Sequence, residues 1–110
     1  MMTQSEVQII HLKGIINSAT SQDLRQRLNE LIEKGAKIVL VDFQDVTFMD
    51  SSGLGALVLA FKTLRAANRQ LVLCSINEQV RILFELTSMD KVFEIFASQD
   101  EFHQAVLSRT

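Results

Sequence analysis

Lys37-Ile38-Val39-Leu40-Val41-Asp42-Phe43 is a near-continuous apolar run. A strand with one face in water alternates apolar and polar residues, so an unbroken run reads as a central strand buried on both faces. A second run of this kind, Gln70-Leu71-Val72-Leu73-Cys74-Ser75-Ile76, lies downstream. Between them a long apolar helix is expected from about Gly53 to Ala67, closed by the turn-like Asn68. Strand, helix and strand in succession imply parallel neighbours joined by a right-handed crossover.

The flanks extend the same alternation. Val7-Gln8-Ile9-Ile10-His11-Leu12-Lys13 is rich in β-branched residues and reads as a strand that stops at Gly14. Asn17, Ser18, Thr20 and Ser21 form a cluster of helix-capping residues, and Thr20 with Asp23 resembles a capping box. Leu24, Leu28, Leu31 and Ile32 then mark one helical face, which ends before Gly35. Beyond the second apolar run, Val80, Leu83, Phe84 and Thr87 mark another helix. A short strand over Val92–Phe96 follows, and Phe102 and Val106 sit four apart on a final helix. The expected fold is α/β: a small mixed, mostly parallel sheet of about four strands, packed with about four helices.

Composition narrows the function without naming one. The 110 residues are 47% hydrophobic and 22% charged, and eleven Lys and Arg stand against thirteen Asp and Glu, a net charge of −2. That balance argues against broad phosphate neutralisation of a nucleic acid. A single cysteine, Cys74, excludes an internal disulfide and disfavours structural zinc. No apolar run approaches the roughly 20 residues of a membrane span. The start, Met1 to Glu6, lacks the basic flank and apolar stretch of a signal peptide, so a cytoplasmic location is expected. No cofactor is implied.

The informative segment is Val46-Thr47-Phe48-Met49-Asp50-Ser51-Ser52-Gly53-Leu54-Gly55-Ala56-Leu57, which runs from just after the buried strand into the long helix. Asp50, Ser51 and Ser52 are all good N-cap residues, and Gly53 and Gly55 permit close backbone approach. From the residues alone, a tidy helix start is the better-supported reading. The second reading presents one serine at a helix N-terminus, where N–H groups and the helix dipole favour an anion such as an attached phosphate.

Phe48-Met49-Asp50-Ser51-Ser52-Gly53-Leu54-Gly55 resembles the phosphorylation motif of bacterial anti-sigma factor antagonists in the STAS family (sulfate transporter and anti-sigma factor antagonist). The resemblance extends from about Val7 to Leu107, and one STAS domain over residues 4–110 is expected. It implies that Ser51 accepts a phosphate, with Ser52 the lesser candidate. It also implies a partner surface of Asp50, Ser51, Ser52, Gly53, Leu54 and Asn17. The implied partners are an anti-sigma factor that is also a serine protein kinase, released by phosphorylation, and a PP2C-type phosphatase that resets the cycle. Classic antagonists usually carry Asp after the glycine and hydrophobic residue, whereas this chain has Gly14-Ile15-Ile16-Asn17, with a neutral amide. With only six residues before Val7, the leading strand of many relatives is expected to be reduced or missing. The same family includes scaffolding and transport-accessory domains without a phosphorylation cycle, which is the alternative reading.

Other constellations carry less. The Gly-x-Ser-x-Gly form of a nucleophile elbow and the phosphate-cradling Gly-x-x-x-x-Gly-Lys-Ser/Thr are both absent. His11 and His103 have no spacing that ties either to Ser51, so each reads as a surface or half-buried histidine and no enzyme is expected. Cys74 reads as a small buried hydrophobe. Leu54, Leu57, Val58, Phe61 and Leu64 form the core-facing set of the long helix, while Ala56, Leu59, Ala60 and Thr63 leave an apolar surplus. Burial between sheet and helix and a docking surface beside Ser51 both fit that surplus.

Overall fold

Strand and helix alternate along the chain as the apolar pattern requires. In a computed structural model, which describes residues 6–109, β1 spans Val7–Ile16, α1 Ser21–Glu33, β2 Ile38–Met49 and α2 Ser51–Ala66. Then follow β3 at Gln70–Cys74, α3 at Glu78–Leu86, β4 at Glu94–Phe96 and α4 at Gln99–Arg109, with a 3-10 turn at Met89–Lys91 before β4. The four strands lie in the order β1-β2-β3-β4, and every neighbouring pair is parallel. Among the described residues the sheet is therefore purely parallel rather than mixed. A helix stands between each strand and the next, and such crossovers bring the chain back in the same direction. Residues 4, 5 and 110 of the expected domain, and most of the stretch before Val7 where a leading strand would fall, lie outside the described residues.

The unbroken run in β2 has the predicted cause. Val39, Val41 and Phe43 face one side, where Leu24 and Leu28 of α1, Leu57 and Leu64 of α2, and Val80 and Phe84 of α3 cover them. Ile38 and Leu40 face the other side, where Val72, Cys74, Phe96, Phe102 and Val106 form a second cluster beneath α4. Period-two alternation in one strand thus feeds two separate cores. Among the described residues three helices cover one face and α4 alone covers the other.

Several element boundaries differ from expectation, each for a local reason. Gly14 does not end β1: it takes a φ of +73° and carries the strand through a register shift to Ile16. Thr20 and Asp23 form no capping box. The Thr20 hydroxyl instead donates to the Ile15 carbonyl at 3.0 Å and accepts from the Asn17 amide at 2.8 Å, leaving α1 without a side-chain cap. β3 stops at Cys74 because Ser75 adopts a left-handed φ of 61°. β4 begins at Glu94 rather than Val92, since the amides of Val92 and Phe93 both bond back to the Met89 carbonyl. β2 runs on past Phe43 to Met49, and α2 begins at Ser51 rather than Gly53.

The two glycines of α2 are not equivalent. A Cβ on Gly53 would stand 2.7 Å from Ile16 Cγ2 and 3.0 Å from Met49 Cγ, so the helix start rests directly on the ends of β1 and β2. A Cβ on Gly55 meets nothing within 4 Å. Gly53→Ala is therefore expected to destabilise the fold by about 1–3 kcal/mol through overpacking against a stiff β-branched side chain. Gly55→Ala should stabilise it by about 0.5–1 kcal/mol through helix propensity. Urea unfolding of the two variants checks the opposite signs.

Candidate functional site: the start of α2

Beyond Asp42, β2 has no β3 neighbour, yet β1 continues to pair with it as far as Met49. The open side is filled by two side-chain amides from the start of α3. Gln79 donates from Nε2 to the Met49 carbonyl at 2.8 Å and accepts the Met49 amide on Oε1 at 2.9 Å. This reproduces the double hydrogen bond of a neighbouring peptide group. Asn77 donates from Nδ2 to the Val46 carbonyl at 3.0 Å, while its Oδ1 caps α3 by accepting from the Val80 amide at 2.9 Å. On the β1 side, the Asp50 amide donates to the Ile16 carbonyl at 3.1 Å. The last residues of β2 are thus held from both edges.

Asp50 then turns the chain. Its backbone is extended, and Oδ1 accepts from the amides of Ser52 at 2.9 Å and Gly53 at 3.4 Å, so Asp50 is the N-cap of α2. Ser51 is the first helical residue and is exposed. Among the described residues its hydroxyl makes no hydrogen bond. Ser52 is half-buried at the second helical position, not the cap, and Gly53 and Leu54 are buried. The amides of Ser52 and Gly53 are already taken by the Asp50 carboxylate. Asn17 immediately follows the end of β1, whose Ile16 pairs with Met49, and so belongs to the same end of the sheet. Its Oδ1 is committed to its own turn, accepting from the amides of Ala19 at 2.9 Å and Thr20 at 3.3 Å. The fold therefore brings Asn17, Asp50 and Ser51 to one end.

Features that the residues alone did not suggest lie alongside. Ile15 and Phe48 are register partners across β1 and β2, and both are exposed, at 54% and 43%. No period-two alternation marks this strand extension, because Thr47 is skipped in the pairing with β1 and the buried positions fall three apart, at Val46 and Met49. On the helix side, Ser51 rims a groove of about 510 Å³ that Leu54, Val58, Arg25 and Lys62 also line.

A second polar cluster is separate from Ser51. His11, Asp42, Cys74 and Phe96 occupy one row across all four strands. The buried Asp42 carboxylate accepts from Gln99 Nε2 at 2.7 Å and from the Gln44 amide at 3.0 Å, and His11 Nδ1 lies 3.1 Å away. His11 stands five residues before the end of β1, roughly 16 Å along the strand from the Ser51 end. His103 packs its ring against Phe102 on α4. Neither histidine hydrogen-bonds Ser51 among the described residues. Burial pushes the Cys74 thiol up to about 11, desolvation outweighing the hydrogen bond with Ser75. No group of metal-ligating side chains occurs among the described residues.

The profile of the STAS domain family matches residues 1–102. The anti-sigma-B factor antagonist of Listeria monocytogenes is 34% identical over 86 residues, covering 78% of this chain and 75% of that protein. The anti-sigma-B factor antagonist of Bacillus subtilis is 30% identical over 97 residues, covering 88% and 87%. The fold matches that of the anti-sigma factor antagonist SpoIIAA of Bacillus in its unphosphorylated form, with a TM-score of 0.83 at 22% identity over 98% of this chain and 94% of the other. It also matches the STAS domain of a SulP transporter from Vibrio cholerae, with a TM-score of 0.74 at 16% identity over 94% and 83%.

Gln79→Leu would strand the main-chain N–H and C=O of buried Met49, and a loss of about 2–4 kcal/mol is expected. Hydrogen exchange should show the Met49 and Asp50 amides opening first. The Cys74 thiol predicts a pH effect. The folded state holds its proton more tightly than the unfolded chain, so its contribution is intact below about pH 9 and is lost as pH rises through about 11. The difference in denaturation midpoint between wild type and Cys74→Ala should be flat below pH 9 and shift above it.

Proposed function

We propose that this chain, which belongs to the STAS domain family, is an anti-sigma factor antagonist controlled by phosphorylation of Ser51. Its unmodified form binds an anti-sigma factor that is also a serine kinase, and the phosphorylated form leaves it. The names of its relatives support the antagonist role. The observation that carries the switch is the division of labour at the start of α2. Asp50 does the capping, and the exposed Ser51 hydroxyl has no structural duty.

The chemistry belongs to the partners. The Ser51 oxygen attacks the γ-phosphorus of ATP in the kinase, the bond to the leaving ADP breaks, and a kinase base takes the serine proton. A PP2C-type phosphatase returns the hydroxyl by hydrolysis. This chain supplies a hydroxyl on a fixed support and a surface that reads the result. The new group carries about −1.5 to −2 charges at neutral pH. Asp50 cannot turn away to relieve it, because its carboxylate is tied to the Ser52 and Gly53 amides. The phosphate is therefore pushed outward, into the interface. Desolvating it there, beside acidic partner groups, costs enough to release the complex. A penalty of about 4 kcal/mol weakens binding a thousandfold. Neither protein needs to refold.

Asn17 lies at the same end and brings a neutral amide where classic antagonists bring a carboxylate, so it shapes partner choice without adding repulsion. Among the described residues no helix is long and apolar enough to cross a membrane. A cytoplasmic location is part of this proposal.

Intact mass after incubation with ATP and serine kinases from the source genome provides the test. A stoichiometric gain of about 80 Da, mapped to Ser51, is expected. Ser51→Ala should hold the kinase whether or not ATP is present, and Ser51→Asp should bind at least tenfold more weakly. Absence of modification, together with stable co-purification with a transporter, would instead support the scaffolding reading.

A further inference from the structure

The groove that begins at Ser51 does not end there. Its wall residues Val58, Lys62 and Met89 also line a second hollow of about 550 Å³ farther along α2, so the two form one continuous channel. From Ser51 to Arg65 the channel follows α2 for roughly 20 Å, the length of about 14 helical residues. Its apolar wall is built by Leu54, Val58, Phe61, Met89 and Val92. Leu59 and Val92 on this side are 54% and 41% exposed, more than the packing of the domain requires.

The charge along this channel is of one sign. Arg25, Lys62 and Arg65 line it, and among the described residues no carboxylate does. Among the described residues none of the three takes part in a salt bridge. The Arg65 guanidinium lies 6.0 Å from the centre of the Phe61 ring, which holds it at the rim. In a chain of net charge −2, a strip with three cations and no anion is segregated charge, and it selects its complement.

We propose that this channel takes an acidic amphipathic helix of the binding partner: an apolar stripe on the wall, with Asp or Glu on both flanks reaching Arg25 and Lys62 or Arg65. A nucleic acid would satisfy the cations and leave the apolar wall bare. An uncharged apolar helix would cover the wall and leave the cations unused. The partner's identity and the effect of phosphate rest on the switch proposed above. The channel's own preference does not. At its Ser51 end a phosphate would repel the acidic helix and draw Arg25 and Lys62 toward itself, which gives the release its chemical partner.

The test uses the full chain, labelled with 15N, and two synthetic 14-residue amphipathic helices that share one leucine stripe. One carries Glu on its flanks and the other Lys. The Glu peptide is expected to shift the amides of Leu54, Val58, Leu59 and Val92 and to bind at least tenfold more tightly than the Lys peptide, with affinity falling as salt rises. Lys62→Glu combined with Arg65→Glu should weaken the Glu peptide about thirtyfold and reverse the preference. Both positions are exposed, and a dispersed spectrum confirms folding; Lys62→Gln supplies the milder variant, with a loss of about threefold.

Equal binding of the two peptides, shifts that map elsewhere, or no binding would overturn the proposal. So would concentration-dependent shifts of the same amides without peptide, which would assign the channel to a second copy of the chain. A chain that prefers the Glu peptide yet is never phosphorylated at Ser51 keeps the channel and loses the switch. A chain that is phosphorylated but ignores the peptide does the reverse.

Discussion

The paired hydrogen bonds between the Gln79 side chain and the backbone of Met49 hold the arrangement together. β2 outruns β3, and a strand end with no neighbour on one edge would leave buried main-chain groups unpaired. Gln79 stands in for the missing peptide, and Asn77 repeats the device at Val46 while capping its own helix. The end of β2 and the start of α3 therefore share their polar groups. Asp50 inherits its position from Met49, the α2 cap follows from Asp50, and Ser51 is presented because the cap lies one residue earlier. Removing the amide at position 79 acts on this whole series, although it touches none of the residues proposed to meet a partner.

How much of this was legible follows from how local each cause is. The two-faced burial of Val39, Leu40 and Val41 is written in the unbroken run, and the α1 stripe in the spacing of Leu24 and Leu28. The Asp-Ser-Ser-Gly motif pointed to the correct turn. Which of its three capping residues would cap was not legible, since that is decided by the extended backbone of Asp50 and not by residue type. The strand extensions were obscured because Gly14 reads as a stop and the polar Gln44, Asp45 and Thr47 break the apolar run that ends at Phe43. They are in fact exposed positions on a paired strand. Gln79 reaches a partner thirty residues away, and no local pattern announces it. The approach of His11 to Asp42 is likewise a product of register, which joins two residues with no common motif.

The sheet also divides the molecule's tasks. On one face lie α1, α2 and α3 with the candidate acceptor and the channel. On the other, α4 is seated by Phe102 and Val106 and by the bond from Gln99 to buried Asp42. A buried carboxylate is tolerated only when donors surround it, and Asp42 has the amide of Gln44, Gln99 and His11 at hand. These polar bonds tie α4 to the sheet alongside the apolar contacts of Phe102 and Val106.

Under the proposed switch, the separation of cap from acceptor has an evolutionary consequence. Had Ser51 capped α2, every replacement there would have cost helix stability, and the acceptor would have been locked in place by folding. With Asp50 carrying the cap, position 51 sits at an exposed first helical turn where most small residues are tolerated. A lineage could exchange Ser51 for alanine in a single codon change and keep the fold and the docking face. It would turn a switchable binder into a permanent one. The same step in reverse would install control on an existing scaffold, so regulated and constitutive members of such a family are neighbours in sequence space.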